Sequence, residues 1–74
     1  MKEDKFISDF IGEFEETPEI KINLNTEFRE LNGWDSMTSM MVITMIDENY
    51  NVIISPEEIR KAKTVGNLFD LVYD

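Results

Sequence analysis

The sequence predicts an all-α fold: three longer helices and one short helix in a small bundle, with a long loop after the first. Three observations carry this. Apolar residues recur at spacings of three and four in three separate stretches, the signature of helices with one buried face. Ser55-Pro56-Glu57-Glu58 holds a complete set of helix-start signals. The one stretch that alternates like a strand, Ile20, Ile22 and Leu24, is followed by nothing that would pair with it.

Each element follows in order. From Lys2 to about Glu16, Phe6, Ile7, Phe10, Ile11 and Phe14 form one stripe with acids opposite. Gly12 weakens this helix by roughly 1 kcal/mol relative to Ala, which a close helix crossing would explain. Thr17-Pro18 stops it, because a residue before proline avoids the helical region. From Glu19 to Asp35 there is no sustained period. This is a long loop anchored by Ile22, Leu24, Phe28 and Leu31, with a turn at Asn32-Gly33. Loops of this length are uncommon and usually functional. Asp35-Ser36 opens a second long helix, through about Asn49. It carries two stripes: Val42, Ile43, Ile46 and Tyr50 on one side, Met37, Met40, Met41 and Thr44 on the other. In so small a domain both cannot be core, so one side is offered to a partner. Ser55 caps a short helix that runs to Lys61. Thr64 caps the last, whose apolar face is Val65, Leu68, Phe69, Val72 and Tyr73.

Composition narrows the function. The 74 residues form a single domain over 1–74, of a size that buries only about 60% of its unfolded surface. There is no cysteine and no histidine, which removes disulfide scaffolds, zinc modules, cysteine hydrolases and serine–histidine triads together. The expectation is a non-enzyme with no metal site. Sixteen acids against seven bases give a net charge of −9, so nucleic acid and anionic membrane surfaces are repelled and basic protein surfaces attracted. The charged start, Met1-Lys2-Glu3-Asp4-Lys5, precedes no long apolar run. A cytoplasmic, monomeric, stand-alone chain without membrane insertion is the expectation.

The chemistry centres on Gly33-Trp34-Asp35-Ser36-Met37. Asp35 or Ser36 suits a helix N-cap. A nucleophilic serine needs a base, and no histidine exists to supply one. A third role is covalent attachment: a phosphate ester at a helix start meets unpaired N–H groups and the positive dipole end, worth about 0.3–1 kcal/mol when exposed.

Trp34-Asp35-Ser36-Met37 is similar to the Asp-Ser-Leu/Met motif of acyl carrier proteins. The resemblance covers about Thr26 to Tyr73. Val52-Ile53-Ile54 reads as the loop after the second helix, Ser55 to Ile59 as the start of the third, and Lys63 to Leu68 resembles the Thr-Val-Gly-Asp phrase that opens the fourth. Phe28 and Leu31 match a hydrophobic pair before the motif. The resemblance implies a four-helix bundle of acyl-carrier type. It also implies a 4′-phosphopantetheine arm from coenzyme A on Ser36, with Asp35 and Met37 flanking the attachment site. The arm would bring the thiol this chain lacks and hold acyl cargo as a thioester, within reach of several enzymes at high effective concentration. The implied partners are a phosphopantetheinyl transferase, an acyl- or aminoacyl-loading ligase and downstream acyl-processing enzymes. Phe28, Ile46, Ile54, Ala62 and Leu68 are candidates for an acyl pocket and equally for ordinary core.

Carriers of fatty-acid synthesis bear acids soon after the motif. Here Thr38 and Met41 stand at those positions, and acids return only at Asp47 and Glu48. The candidate partner surface is therefore Met37, Met40, Met41, Thr44, Asp47 and Glu48, an adaptable apolar face where charge is usual. Met45 fits core and partner face equally. The face points to a specialised lipid or polyketide-like pathway, and Asp-Ser-Met also resembles D-alanyl carriers, so an aminoacyl cargo stays open.

Two readings from other classes stand beside this. Residues 47–58 have oxygen donors at the spacing of a twelve-residue calcium loop, although Val52 occupies the sixth position where the turn needs glycine. A bare helical adaptor would use the methionines for docking and Ser36 only as a cap. Trp34 reads as a loop anchor against the second helix, Arg29 and Lys21 as partners of local acids, and Arg60, Lys61 and Lys63 as a solvated cluster.

Overall fold

The computed structural model describes residues 2–18 and 20–73. Met1, and Glu19 where the long loop was expected to begin, lie outside the described residues. The elements are α1 (Lys2–Ile11), a 3₁₀ turn (Phe28–Glu30), α2 (Ser36–Tyr50), α3 (Pro56–Lys61) and α4 (Val65–Tyr73). Among the described residues there is no strand, only an isolated antiparallel bridge between Glu27 and Thr64. This is the expected bundle of three longer helices and a short third one, with the 3₁₀ turn as an addition inside the loop. No helix of the described chain is long and apolar enough to cross a membrane.

The first helix ends at Ile11, earlier than its stripe suggests. Beyond it Glu13 N–H reaches the Phe10 carbonyl at 3.2 Å and Phe14 N–H the Ile11 carbonyl at 3.1 Å, so tighter turns replace the α ladder. These turns keep Phe14 buried, which is why the apolar period outlasts the helix. Gly12 marks the end and is exposed, with no helix crossing against it.

Phe6, Phe10, Phe28, Val42, Ile46, Val65 and Leu68 are fully buried and make the centre of one core. Phe6 joins three helices, meeting Tyr50 of α2 at 5.6 Å and Phe69 of α4 at 5.7 Å between ring centroids. On α2 the two stripes separate as expected. Val42 and Ile46 are buried, Ile43 and Tyr50 half-buried, while Met37, Met40, Met41 and Thr44 are exposed. Met45 is buried. Asn51 closes α2 in the left-handed conformation, φ 58°, with its N–H on the Asp47 carbonyl at 3.0 Å.

The long loop is held by α4. Thr64 caps α4 through its hydroxyl, which accepts from Asn67 N–H at 3.1 Å. The next two amides reach across to the loop: Val65 N–H donates to the Thr26 carbonyl at 3.0 Å and Gly66 N–H to the Leu24 carbonyl at 2.8 Å. Among the described residues Arg29 forms no ion pair with an acid. Its guanidinium donates to the Ile59 carbonyl at 3.2 Å, to the Arg60 carbonyl at 2.7 Å and to the Ala62 carbonyl, satisfying the open carbonyl end of α3. The expected Ser55–Glu58 capping box forms at the other end of α3, at 2.9 and 3.1 Å.

A polar tie joins α1 to the end of α2. Tyr50 donates its hydroxyl to Asp9 at 2.6 Å, and Lys5 reaches the same carboxylate at 2.9 Å. Burial, together with the bond to Asp9, pushes the Tyr50 phenol up to about 12 from 10.0. A raised folded-state value means stability that is full below the unfolded pKa and lost as pH rises through the folded one. Unfolding free energy should therefore fall between pH 10 and about 12, and fall less steeply in Tyr50→Phe, as measured by urea titrations at each pH. Asp9 runs the other way. The Tyr50 hydroxyl, then Lys5, holds its carboxyl below 3.8, so its contribution is present above that value and lost in acid.

Candidate functional site

The site is built where the loop turns into α2. Gly33 takes φ +93°, a region that side-chain-bearing residues avoid, and this turns the chain at the predicted Asn32-Gly33 step. Trp34 follows, half-buried. Its ring lies 4.6 Å from Phe28, 6.1 Å from Phe10 and 6.2 Å from Phe14 between centroids. Its aromatic neighbours thus come from α1, from the segment just after it and from the loop's own Phe28, in addition to the expected neighbourhood of α2.

Asp35 is the N-cap: its carboxylate accepts from Thr38 N–H at 2.8 Å. The hydrogen bond from that amide holds the Asp35 carboxyl below its ordinary value. Thr38 is itself buried, and its hydroxyl donates to the Gly33 carbonyl at 3.0 Å, locking turn to helix. Of the two positions where carriers of fatty-acid synthesis bear acids, Thr38 is thus turned into the protein, and Met41 is on the surface. Ser36 is the first residue of α2 and is exposed. Because Asp35 performs the capping, the Ser36 hydroxyl is not committed to it.

A cleft runs beside Ser36, lined by Trp34, Asp35, Ser39 and Met40, by Pro56, Ile59 and Arg60 of α3, and by Arg29. Sequence reasoning missed this cleft. Arg60 lies 24 positions after Ser36, and only the packing of α3 on α2 brings both to one groove. The residues fit a phosphopantetheine group. The hydroxyl is exposed at a helix start, a guanidinium lines the groove as counter-charge for a phosphodiester, and the walls are largely apolar.

The remaining candidates fall as follows. Met37, Met40 and Met41 are 67%, 55% and 39% exposed, and Thr44, Asp47 and Glu48 continue the exposed face along α2. Phe28, Ile46, Ile54, Ala62 and Leu68 are all buried and belong to one packed cluster. Residues 47–58 do not form a calcium loop. Asp47 to Tyr50 are helical, Pro56 onward is helical again, and the Glu58 carboxylate accepts from Ser55 N–H. The donor spacing that suggests a loop in the sequence is the spacing of a helix end and a capping box.

The sequence pattern of the family described as phosphopantetheine attachment site matches residues 5–72. No curated protein sequence matches significantly. Among solved structures, one from Mycobacterium tuberculosis described as an acyl carrier protein superposes with a TM-score of 0.81. The two are 20% identical, and the match covers 99% of this chain and 96% of that one. At that identity the likeness speaks for the fold. The family pattern, spanning nearly the whole chain, speaks for the prosthetic group, 4′-phosphopantetheine. The chain belongs to the phosphopantetheine-attachment family and is a carrier protein, not an enzyme, with the fold of an acyl carrier protein.

Proposed function

We propose that Ser36 is the attachment residue and that the chain shuttles acyl intermediates in a specialised lipid or polyketide-like pathway. The observation that carries the assignment of Ser36 is its exposed hydroxyl on the first residue of α2, with the capping role taken by Asp35. In loading, the serine oxygen forms a phosphodiester with the phosphopantetheine half of coenzyme A, the pyrophosphate P–O bond breaks, adenosine 3′,5′-bisphosphate leaves, and the hydroxyl proton passes to the transferase. When bound, the arm supplies the thiol that this cysteine-free chain lacks, and cargo rides on it as a thioester. Asp35 and Thr38 keep the helix start rigid, so the tether point is fixed while the arm moves. Arg60 offers positive charge to the phosphodiester, and Met40, Pro56 and Ile59 give the arm an apolar wall to lie against.

The specialised pathway is supported by the exposed methionine face, in which Met41 stands at a position where carriers of fatty-acid synthesis bear an acid. Met37, Met40, Met41 and Thr44 would meet the apolar part of a partner, with Asp47 and Glu48 meeting cations at the far end of α2. Asp35-Ser36-Met37 also favours a second reading, an aminoacyl or D-alanyl carrier. The mass of the protein isolated from its host separates the two, because the adduct on the arm is the cargo.

The test of Ser36 is intact mass after incubation with coenzyme A and a broad-specificity phosphopantetheinyl transferase. Wild type should gain one 4′-phosphopantetheine, and Ser36→Ala none, while keeping its helical circular dichroism because Asp35 still caps α2. Wild type that stays unmodified would overturn the assignment.

A further inference from the structure

Four of the five methionines stand on α2, and the fold divides them sharply. Met37, Met40 and Met41 are 67%, 55% and 39% exposed, while Met45 is 4% exposed and packed in the core. Positions 37, 40 and 41 are three and four residues apart, so the three thioethers neighbour one another on the first turns of the helix, directly after Ser36. Met40 also lines the cleft that holds Ser36 and Arg60. Composition leaves these sulfurs as the accessible reductants. The chain has no cysteine thiol to react ahead of them. Trp34, the single tryptophan, is half-buried among Phe10, Phe14 and Phe28. A thioether is soft and apolar, whereas a sulfoxide is polar and accepts hydrogen bonds. Oxidation therefore changes the chemistry of this face while leaving the buried side of α2 untouched.

We propose that Met37, Met40 and Met41 are a reversible oxidation site, at which peroxides turn the face beside Ser36 from apolar to polar and slow the loading of Ser36. The effect on loading rests on the carrier reading above; the oxidation does not. In each step the sulfur lone pair attacks one peroxide oxygen, the O–O bond breaks, an S–O bond forms and water leaves. Sulfur gives up two electrons and the peroxide takes them. Two thiols, acting through a methionine sulfoxide reductase, reverse the step: sulfur regains its two electrons, the thiols couple to a disulfide and the oxygen leaves as water.

The experiment treats the full chain, before any loading, with hydrogen peroxide, removes the peroxide with catalase, and locates each added oxygen by tandem mass spectrometry, with Met1 followed on a separate peptide. Met37 and Met40 should react first and Met41 after them, each at least about tenfold faster than Met45, which an oxidant reaches only when the core opens. Helical circular dichroism should not change. Loading by coenzyme A and a broad-specificity transferase should then slow by about tenfold, the effect of losing roughly one well-buried apolar contact. Reductases for both sulfoxide epimers should restore it. The variant Met37→Leu/Met40→Leu/Met41→Leu keeps apolar bulk without sulfur on this face, so its loading, whatever its rate, should be the same before and after peroxide. Oxidation of Met45 as fast as of the other three, an oxidised face that loads at the untreated rate, a loss that the reductases do not reverse, or an equal loss in the leucine variant would each overturn the proposal. If the untreated chain is never loaded, the assignment of Ser36 falls and the oxidation site stands on the order of reaction and its reversal. If the chain is loaded but Met45 reacts as readily as the others, the assignment stands and the oxidation site falls.

Discussion

Phe28→Ala should lower the unfolding free energy by about 3–5 kcal/mol, the usual loss for deleting a buried phenylalanine ring. A chain of this size holds roughly 4–11 kcal/mol in total, so the variant will lie near the edge of folding. Phe28 is completely buried, and its ring is the meeting point of the site's aromatic cluster, 4.6 Å from Trp34 and 6.2 Å from Phe10 between centroids. The Arg29 guanidinium lies 5.0 Å from the same ring, on its way to the end of α3. Removing the ring therefore loosens the loop, the turn before Ser36 and the α3 staple together. Urea unfolding followed by fluorescence of Trp34, the single tryptophan, and by circular dichroism measures it. Phe28→Leu should recover a large part of the loss. A drop below about 1 kcal/mol in the alanine variant would mean that the ring is not a core element. The result bears on cargo as well. Phe28, Ile46, Ile54, Ala62 and Leu68 now form packed core, so an acyl chain housed among them would have to displace these contacts.

Gly66→Ala should destabilise by about 1–3 kcal/mol, against the up to about 1 kcal/mol that alanine ordinarily adds to a helix. A β-carbon at position 66 would stand 2.8 Å from the Leu24 carbonyl oxygen, a backbone atom that cannot swing aside, and 3.3 Å from the Leu24 β-carbon. That carbonyl also accepts the Gly66 N–H, so relief of the clash breaks the bond that ties loop to helix. The expected result is a lower thermal midpoint and faster hydrogen exchange at the Val65 and position-66 amides. Gly12→Ala is the control. Its β-carbon would meet only its own helix's carbonyls, at 3.4 and 3.5 Å, and its midpoint should not fall. A Gly66→Ala protein as stable as wild type would remove close approach as the reason for this glycine.

These two residues mark how far the sequence can be read. The Thr64-Val65-Gly66-Asn67 phrase was legible as a helix start, because a cap needs only the hydroxyl of one residue and the amide three positions on. That its glycine exists for a loop more than forty residues upstream was not legible, since the crossing depends on how α4 docks against Leu24. Arg29 shows the same limit. In sequence it is a base among acids; in the fold its donors go to three carbonyls thirty or more residues away. The sequence assigned Thr38 to neither stripe of α2, and only packing showed that it is buried against the turn at Gly33.

What the sequence alone determined is everything that acts over a few residues: four helices, their caps at Ser55 and Thr64, the turn at Gly33, the buried stripe of α2 and the serine at its mouth. Such features rest on periodicity and hydrogen bonds between near neighbours, which the order of residues already contains. The tertiary structure decided the end of α1, the aromatic nest around Trp34, the α3 staple and the cleft between Ser36 and α3. Each of those joins segments distant along the chain, and their contact exists only once burial of the common core has brought them together.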